Sequence, residues 1–212
     1  MVTSFKTDPQ MDFHQIVADM ASIKRKQAKI INLGLFYGMG KAKLQQSLNL
    51  ETRDEAEKLF EKYHRNVPFV KALMNATSRD ASRDGEIQTI GGRVCRFDKW
   101  ERDVYEPGVL RASTSWEEAA KKYGENNIRR AFTYKALNKL IQGSAADMTK
   151  QAMLDLYEEG IIPHIQVHDE LDISIEDDHQ GKKIVEIMQD AIPLNIPNKV
   201  DFEQGPTWGD IK

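Results

Sequence analysis

Apolar residues recur with helical spacing through the first third of the chain. Residues 23–37 mix basic and apolar side chains at intervals of three and four, and residues 49–64 and 68–83 repeat that amphipathic pattern. Gly38 and Gly40 can end the first of these helices. The beginning of the chain is therefore predicted to be helical.

Shorter alternating runs, which are typical of β-strands, follow further along. Residues 86–90 and 93–97 flank a Gly-Gly pair, a pattern that predicts a hairpin closed by a two-residue turn. Residues 162–168 and 171–175 form a second pair of β-rich runs around a tight turn. The pattern therefore predicts two small hairpins.

Longer helical patterns surround the second hairpin. One runs from Ile128 to Glu159, where Gly160 can stop it, and another covers 178–192 before a last predicted strand at 199–203. Helices come first along the chain, and a small antiparallel sheet with helices packed on it comes afterwards. This order predicts an α+β fold.

Residues 98–127 carry the weakest pattern. They are polar and aromatic, and Ser115 and Glu118, spaced as a capping box, indicate the start of a short helix. A loop of this length in a compact protein is usually either an insertion with its own role or a mobile segment. The sequence leaves both alternatives open.

Composition narrows the class of protein. The 212 residues have 40% hydrophobic content and a net charge of −3, which is typical of an ordinary globular protein. No run approaches the ~18 apolar residues of a membrane span, and the single cysteine, Cys95, excludes an internal disulfide. A cytoplasmic protein without a membrane partner is expected.

Part of the first predicted helix has the residue types that phosphate chemistry needs. Two cations, an apolar residue and an aromatic ring share one helical face, because they are spaced four apart: Arg25, Lys29, Leu33 and Tyr37. The arginine and the lysine can grip a triphosphate, and the ring can meet a base. Gly34 and Gly38 leave room for a backbone or a base pair to approach closely. The alternative is a solvated basic face with a buried tyrosine.

A second candidate site lies in the turn between the two later β-runs. Apolar strands press His168, Asp169 and Glu170 into that turn, so adjacent carboxylates project from one end of a sheet. Mg²⁺ prefers carboxylate oxygens together with water and phosphate, and in-line phosphoryl transfer uses two such ions. The alternative is an ordinary polar β-turn, in which such residues are common.

The order of residues in the basic helix resembles a known family. Residues 25–40, RKQAKIINLGLFYGMG, resemble the motif B helix of family A DNA polymerases, the group of bacterial DNA polymerase I and the T-odd phage enzymes. The family pattern is Arg-x3-Lys-x3-aromatic-Gly-x2-Tyr-Gly. Its matches in this chain are Arg25, Lys29, Gly34, Tyr37 and Gly38.

The resemblance implies nucleotide-binding roles for this helix. Arg25 and Lys29 are expected to hold the phosphates of the incoming nucleotide, with Lys29 also protonating the leaving pyrophosphate. Tyr37 is expected to stack near the templating base. Upstream, the string DFH resembles the Asp-x-His segment of the family, which implies that His14 reaches the phosphates. Leu33 departs from the usual Phe or Tyr beside the sugar, and poor use of dideoxynucleotides is the resulting hypothesis.

The acidic turn resembles motif C of the same family. In the string QVHDE, Asp169 takes the place of the metal-binding aspartate, His168 lies near the primer terminus and Glu170 is a supporting carboxylate. Between the two motifs, YKALNKLIQGSAAD resembles the helix in which an Asn and a Gln contact the DNA minor groove. The resemblance thus implies DNA contacts for five residues: Arg93, Asn138, Gln142, Gln166 and His168.

As a whole, the resemblance implies part of a right-hand polymerase. The family's motif A, which carries the other metal-bridging aspartate, should precede Asp12, and the start at Met1 leaves no space for it. We interpret the chain as an independent reading frame or an artificial truncation, and a split polymerase, as in some phages, is preferred. The expected parts are fingers at 1–127, with the motif B helix at about 23–38, the hairpin 86–97 and an insertion at 98–127, and a C-terminal palm part at 128–212, with the motif C hairpin at 162–175.

The expected function is template-directed DNA synthesis on primer–template DNA from dNTPs, with Mg²⁺ in a two-metal site. A partner chain is expected to supply motif A, the thumb and, in some arrangements, an exonuclease. The expectation requires Lys29 and Asp169 to face one pocket in which a triphosphate can lie. A non-catalytic relic that only binds nucleic acid and a plain helical scaffold are the alternatives.

Overall fold

The chain folds into two compact units, which are each described separately. The computed structural model describes residues 6–8, 11–36, 39–104 and 112–211. The first unit covers residues 12–141, and the second contains the described residues on either side of that range. Helices and small antiparallel strand pairs make up this part of the chain, as predicted for an α+β fold. The boundary between fingers and palm near residue 128 stays a prediction.

Five helices begin the first unit, and side-chain caps define where two of them start. The Asp12 carboxylate accepts hydrogen bonds from the backbone amides of His14 and Gln15. The Thr52 hydroxyl accepts one from the Glu55 amide, so the helix predicted from residue 49 begins four residues later. The helices are α1 (Phe13–Ala21), α2 (Arg25–Phe36), α3 (Lys41–Leu48), α4 (Arg53–Asn66) and α5 (Pro68–Asp84). Neither α1 nor α3 has a counterpart among the predicted helices.

The apolar faces of these helices pack into a common core. Buried residues on α1 and α2 recur at intervals of three and four, so the opposite face of each helix remains at the surface. Tyr63 of α4 is the largest of the fully buried side chains in the described ranges. The core consists of Val17, Ala18, Ala21, Ala28, Ile31, Leu44, Tyr63, Val67 and Val70.

The first predicted hairpin forms, but its turn differs from the prediction. β1 (Glu86–Gln88) pairs with β2 (Val94–Arg96) in an antiparallel ladder. The connecting turn runs from Thr89 to Gly92, whose amide donates to the Thr89 carbonyl at 3.0 Å. The predicted two-residue Gly-Gly turn is wrong, because Gly92 adopts a positive φ of 84° and its glycine neighbour does not. A type I′ turn requires two successive residues of that kind.

The segment 98–127 contains regular structure. β3 (Trp100–Arg102) pairs with β4 (Ile128–Arg130), and α6 (Trp116–Tyr123) lies between them in the sequence. The Ser115 hydroxyl accepts a hydrogen bond from the backbone amide three residues later and caps α6. The predicted start of this short helix is therefore confirmed.

The long helix predicted from Ile128 starts later. The first three residues of the prediction are extended in β4, where the Arg129 guanidinium bonds the Glu101 carboxylate at 2.8 and 2.9 Å. The spacing of apolar residues along a helix contains no information about such a contact with a strand that is distant in the sequence. The helix itself, α7 (Ala136–Glu158), ends before Gly160, whose φ is +76°, as predicted. None of the described helices, α7 included, is long and apolar enough to cross a lipid bilayer.

The second unit contains the other predicted hairpin and a helix. β5 (Ile165–Val167) and β6 (Glu170–Asp172) are antiparallel, and α8 (Asp178–Asp190) follows them. Leu156, Ile161 and Ile184 form the buried core of this unit. The strand predicted at 199–203 is wrong, because these residues pair with no strand in the described part of the chain.

Candidate functional site

The predicted row of residues on α2 lies at the surface of the first unit. Arg25, Lys29 and Leu33 are exposed, so ligands in solution can reach all three. Tyr37, the predicted fourth member, lies outside the described residues. The adjoining face of α2 is buried in the helical core and carries Ala28, Ile31 and Asn32.

An acidic residue at the start of α1 contacts this row. One Asp12 carboxylate oxygen caps α1, and the other accepts a hydrogen bond from Arg25 Nε at 2.6 Å. The bond from Arg25 holds the pKa of the Asp12 carboxyl below its ordinary value. Both side chains are partly exposed, so a polyanion can compete with Asp12 for the guanidinium. Lys29 forms no ion pair with any described residue.

His14 belongs to the same cluster as the two cations. Its partial burial lowers its pKa, the charge of Asp12 opposes that shift, and the charges of Arg25 and Lys29 add to it. Charges act in this way only over short distances. The structure therefore brings together three residues that were predicted as phosphate contacts, and the imidazole among them is uncharged at neutral pH.

Two buried residues that the sequence analysis did not single out hold His14 in place. Asn32 donates from Nδ2 to His14 Nδ1 at 3.1 Å, and its Oδ1 accepts a hydrogen bond from the Tyr63 hydroxyl. Burial raises the pKa of Tyr63 to about 12. The sequence did contain a signal for this contact, since Asn32 is a single amide at a core position of an apolar run. Buried amides usually have hydrogen-bond partners, so such a residue predicts a polar contact inside the core.

The room that was expected at Gly34 is already filled. A Cβ atom on Gly34 would overlap the Sδ and Cε atoms of Met39, which lie against the helix there. The Met39 amide also donates to the Gly34 carbonyl at 2.7 Å. Met39 therefore occupies the space at Gly34 in which a backbone or a base pair was expected to approach.

The turn between β5 and β6 presents its carboxylates to solvent. Asp169 and Glu170 are exposed and pair with no cation in the described ranges. His168 precedes them with a left-handed backbone, φ +55°, and the Gln166 side-chain amide donates to the His168 carbonyl. This conformation is uncommon for a residue other than glycine, and such strain is frequent at functional turns.

The carboxylates of this turn can provide part of a metal site. Their oxygens are the hard ligands that Mg²⁺ prefers, and no cationic side chain in the described part of the chain pairs with them. Among the described residues, however, no three His, Cys, Asp or Glu side chains are grouped so that they could hold an ion. Asp169 and Glu170 therefore fit one side of a metal site, which needs further ligands.

The other candidate DNA contacts lie on α7 and at the first hairpin. Asn138 and Gln142 are four residues apart on α7, which places them on one face. Asn138 Nδ2 is buried and has no hydrogen-bond partner among the described residues, so the amide must rotate outward to meet a base. Arg93 is exposed directly after the turn of the β1–β2 hairpin.

The candidate residues belong to different units. The phosphate candidates His14, Arg25 and Lys29 are in the first unit, and the carboxylates Asp169 and Glu170 are in the second. The expectation that both sets face one pocket stays a prediction.

Comparisons with known proteins give one consistent result. The family model for DNA polymerase family A matches residues 4–210. The chain is 35% identical to a DNA-directed DNA polymerase of Pseudomonas phage M6, and the match covers 97% of this chain and 32% of that protein. It is 34% identical to DNA polymerase I of Geobacillus stearothermophilus, with 97% of this chain and 22% of that protein covered.

A solved structure is similar in fold as well. It is the POL domain of Pol1 from M. smegmatis in complex with DNA primer-template and dNTP, which matches at a TM-score of 0.68 and 27% identity. The match covers 92% of this chain and 34% of that one. The chain thus spans about a third or less of the length of these relatives.

Proposed function

Because this chain belongs to DNA polymerase family A, we propose that it takes part in template-directed DNA synthesis. The reaction is the transfer of a nucleotide from a dNTP to the 3′-hydroxyl of a primer. The observation that carries this proposal is the cluster of His14, Arg25 and Lys29 at the exposed face of α2, within a chain that matches the family almost end to end. The cytoplasm, or the host cytoplasm for a phage protein, is the proposed location.

The basic cluster is proposed to bind the triphosphate of the incoming dNTP. Arg25 can form a fork with two phosphate oxygens once Asp12 releases it, and Lys29 can donate a proton to the leaving pyrophosphate. His14 contributes a neutral N–H donor. Tyr37 and Leu33 are assigned to the nascent base pair and the sugar, in line with the family pattern.

The acidic turn is proposed to bind Mg²⁺. Asp169 is the assigned ligand and Glu170 its supporting carboxylate, since both are exposed and unpaired within the described residues. When bound, two such ions stabilise the attacking and leaving oxygens of the transferred phosphate. The second bridging carboxylate is assigned to motif A of a partner polypeptide.

The β5–β6 hairpin is the proposed contact for that partner. Ile165 and Val167 on β5 are each 40% exposed, which leaves an apolar strand that a further segment can cover. The partner is proposed to bring motif A, the thumb and, in some arrangements, an exonuclease. Primer–template DNA is the third component, and its assigned contacts are Arg93, Asn138, Gln142, Gln166 and His168.

A chimaeric enzyme tests the proposal. The region of the Pseudomonas phage M6 polymerase that matches this chain is replaced by the 212 residues, and primer extension is measured with Mg²⁺ and dNTPs. We expect extension by the chimaera and none by the isolated chain. Asp169→Asn should reduce the rate by at least about a hundredfold, because it removes a metal-binding charge. Asp201→Asn, an exposed carboxylate outside the assigned site, serves as the matched control.

Each outcome of this experiment has a definite meaning. A folded chimaera that binds DNA but does not extend the primer favours the non-catalytic relic. A chimaera that binds neither DNA nor dNTP favours the helical scaffold. Robust extension by the isolated chain overturns the need for a partner.

A further inference from the structure

We propose that Asn32 and Tyr63 are positioning residues that hold His14 in one tautomer, with Nδ1 as acceptor and the proton on Nε2. The inference rests on the proposed function for the identity of the ligand, a triphosphate that accepts from Nε2–H. The hydrogen bonds themselves are independent of that function.

The relay is buried and continuous. Tyr63 on α4 and Asn32 on α2 are 0% and 1% exposed, and the Tyr63 hydroxyl donates to Asn32 Oδ1. The Asn32 amide nitrogen then reaches His14 Nδ1 on α1 at 3.1 Å. Three helices are joined through these side chains, so the imidazole ring is fixed by the core of the first unit rather than by the surface.

The chemistry of the donors determines the tautomer. An amide NH₂ group can only donate, so His14 Nδ1 must accept and the proton of the neutral ring is on Nε2. The reverse amide orientation would place Asn32 Oδ1 against the ring and move the proton to Nδ1. In that reverse orientation the Tyr63 hydroxyl would accept from Asn32 Nδ2, and its own buried O–H would have no acceptor among the described residues, so the first arrangement is favoured.

The tautomer matters because the ring is uncharged. Asp12 on α1 favours protonation of His14, whereas partial burial and the charges of Arg25 and Lys29 on α2 disfavour it. A neutral imidazole has one N–H, and only the ring nitrogen that bears it can donate to a phosphate oxygen. The relay therefore keeps this donor on the ring nitrogen that bonds to none of the described residues.

Nitrogen-15 NMR of the full chain labelled at histidine tests the inference without any activity assay. The chain has five histidines, and the His14 signals are assigned by their loss in His14→Gln. We expect the shifts of the Nε2–H tautomer in the wild type. Asn32→Asp, which is nearly isosteric, should move the proton to Nδ1, because a carboxylate can only accept. An Nδ1–H tautomer in the wild type overturns the proposal.

A conservative variant links the relay to ligand binding. Tyr63→Phe keeps the buried ring and removes the hydroxyl, so we expect a mixture of tautomers and about three- to tenfold weaker binding of dTTP, the effect of one weakened hydrogen bond. Tyr157→Phe, on an exposed tyrosine, should change neither. Tyr63→Phe with wild-type tautomer populations also overturns the inference. Absence of dTTP binding by the wild type counts against the proposed function alone, because the NMR result still decides the tautomer.

Discussion

At the scale of single residues, the polar side chains around α2 each perform two tasks. Asp12 caps α1 and also pairs with Arg25. Asn32 fills a core position and also orients His14. A substitution at either residue therefore changes both stability and the site, and variants must separate the two effects.

Asp12→Asn should strengthen binding of a triphosphate. Asparagine caps a helix about as well as aspartate, but it no longer competes as a charge for Arg25. We expect dTTP to bind about two- to fivefold more tightly at low salt, the range of an exposed ion pair, as measured by calorimetry. Asp19→Asn, which removes an exposed carboxylate from the same helix, is the control. Unchanged or weaker binding in Asp12→Asn contradicts the prediction.

Tyr63 should make stability fall at high pH. Burial raises its pKa to about 12 from an ordinary value of 10.0, so the unfolded chain loses the proton first. The stabilisation is complete below pH 10 and is lost as the pH rises through 12. Between pH 10 and pH 12, the unfolding free energy measured with urea should fall by roughly 2–3 kcal/mol more in the wild type than in Tyr63→Phe. If the unfolding free energies of the two proteins change with pH in parallel, the titration of Tyr63 is not the cause.

Leu33 should make the enzyme discriminate against dideoxynucleotides. Leu33 is exposed, and it offers neither a ring nor a hydroxyl to the sugar to which we assign it. In the chimaeric polymerase we expect ddTTP to be used at least about tenfold less efficiently than dTTP. Leu33→Tyr should reduce this difference in efficiency by an amount that corresponds to about one added hydrogen bond. Equal use of both nucleotides by the enzyme with Leu33 refutes the prediction.

At the scale of elements, local contacts and backbone conformations define the ends of α2 and β5, which carry candidate site residues. Beyond the end of α2, Met39 covers Gly34. The β5–β6 turn likewise depends on a left-handed His168. In both places a local contact, rather than the repeat of the element, defines the geometry next to candidate site residues.

Gly34→Ala should not stabilise the first unit as its helical position would suggest. Alanine is ordinarily about 1 kcal/mol more favourable than glycine inside a helix, but the new methyl group overlaps the end of the Met39 side chain, which must move, so we expect that gain to be lost. Gly40→Ala is the matched control, because nothing lies within 4 Å of its added Cβ atom. Urea unfolding measures both variants. The double variant Gly34→Ala/Met39→Ala should recover part of that gain, and no recovery would contradict overlap as the cause.

At the scale of the whole molecule, the chain covers about a third or less of its relatives and leaves apolar side chains exposed in the second unit. Ile165 and Val167 lie on β5, next to the carboxylate turn. A further segment that covered this strand would bury both side chains and would also lie close to Asp169. Association and metal binding are therefore expected to depend on the same hairpin.

Ile165→Thr/Val167→Thr should weaken binding of the motif A partner. Threonine retains β-propensity, so the unfolding free energy should stay nearly constant, while the loss of apolar contact weakens association by about tenfold or more. The partner in this test is the remainder of the Pseudomonas phage M6 polymerase without the matched region, and affinity is measured by calorimetry. Ile90→Thr/Val104→Thr, at exposed positions of the first unit, is the control. Equal affinities contradict the assigned contact.

Local pattern alone determined much of this protein. The exposed row on α2, the cap of α6 and the stop at Gly160 depend on residues close together in the chain, and sequence reasoning found them. The acidic turn was found for the same reason, since His168, Asp169 and Glu170 are adjacent. Family membership also followed from residue order along the chain.

Tertiary structure decided what depends on distant partners. β4 is extended because it pairs with β3, and residues 199–203 are not a strand because they have no such pair in the described ranges. The contact between Asn32 and Tyr63 joins residues far apart in the chain, so no periodicity predicted it. A side chain's neighbours along the sequence specify its element, but only folding decides which donor meets which acceptor.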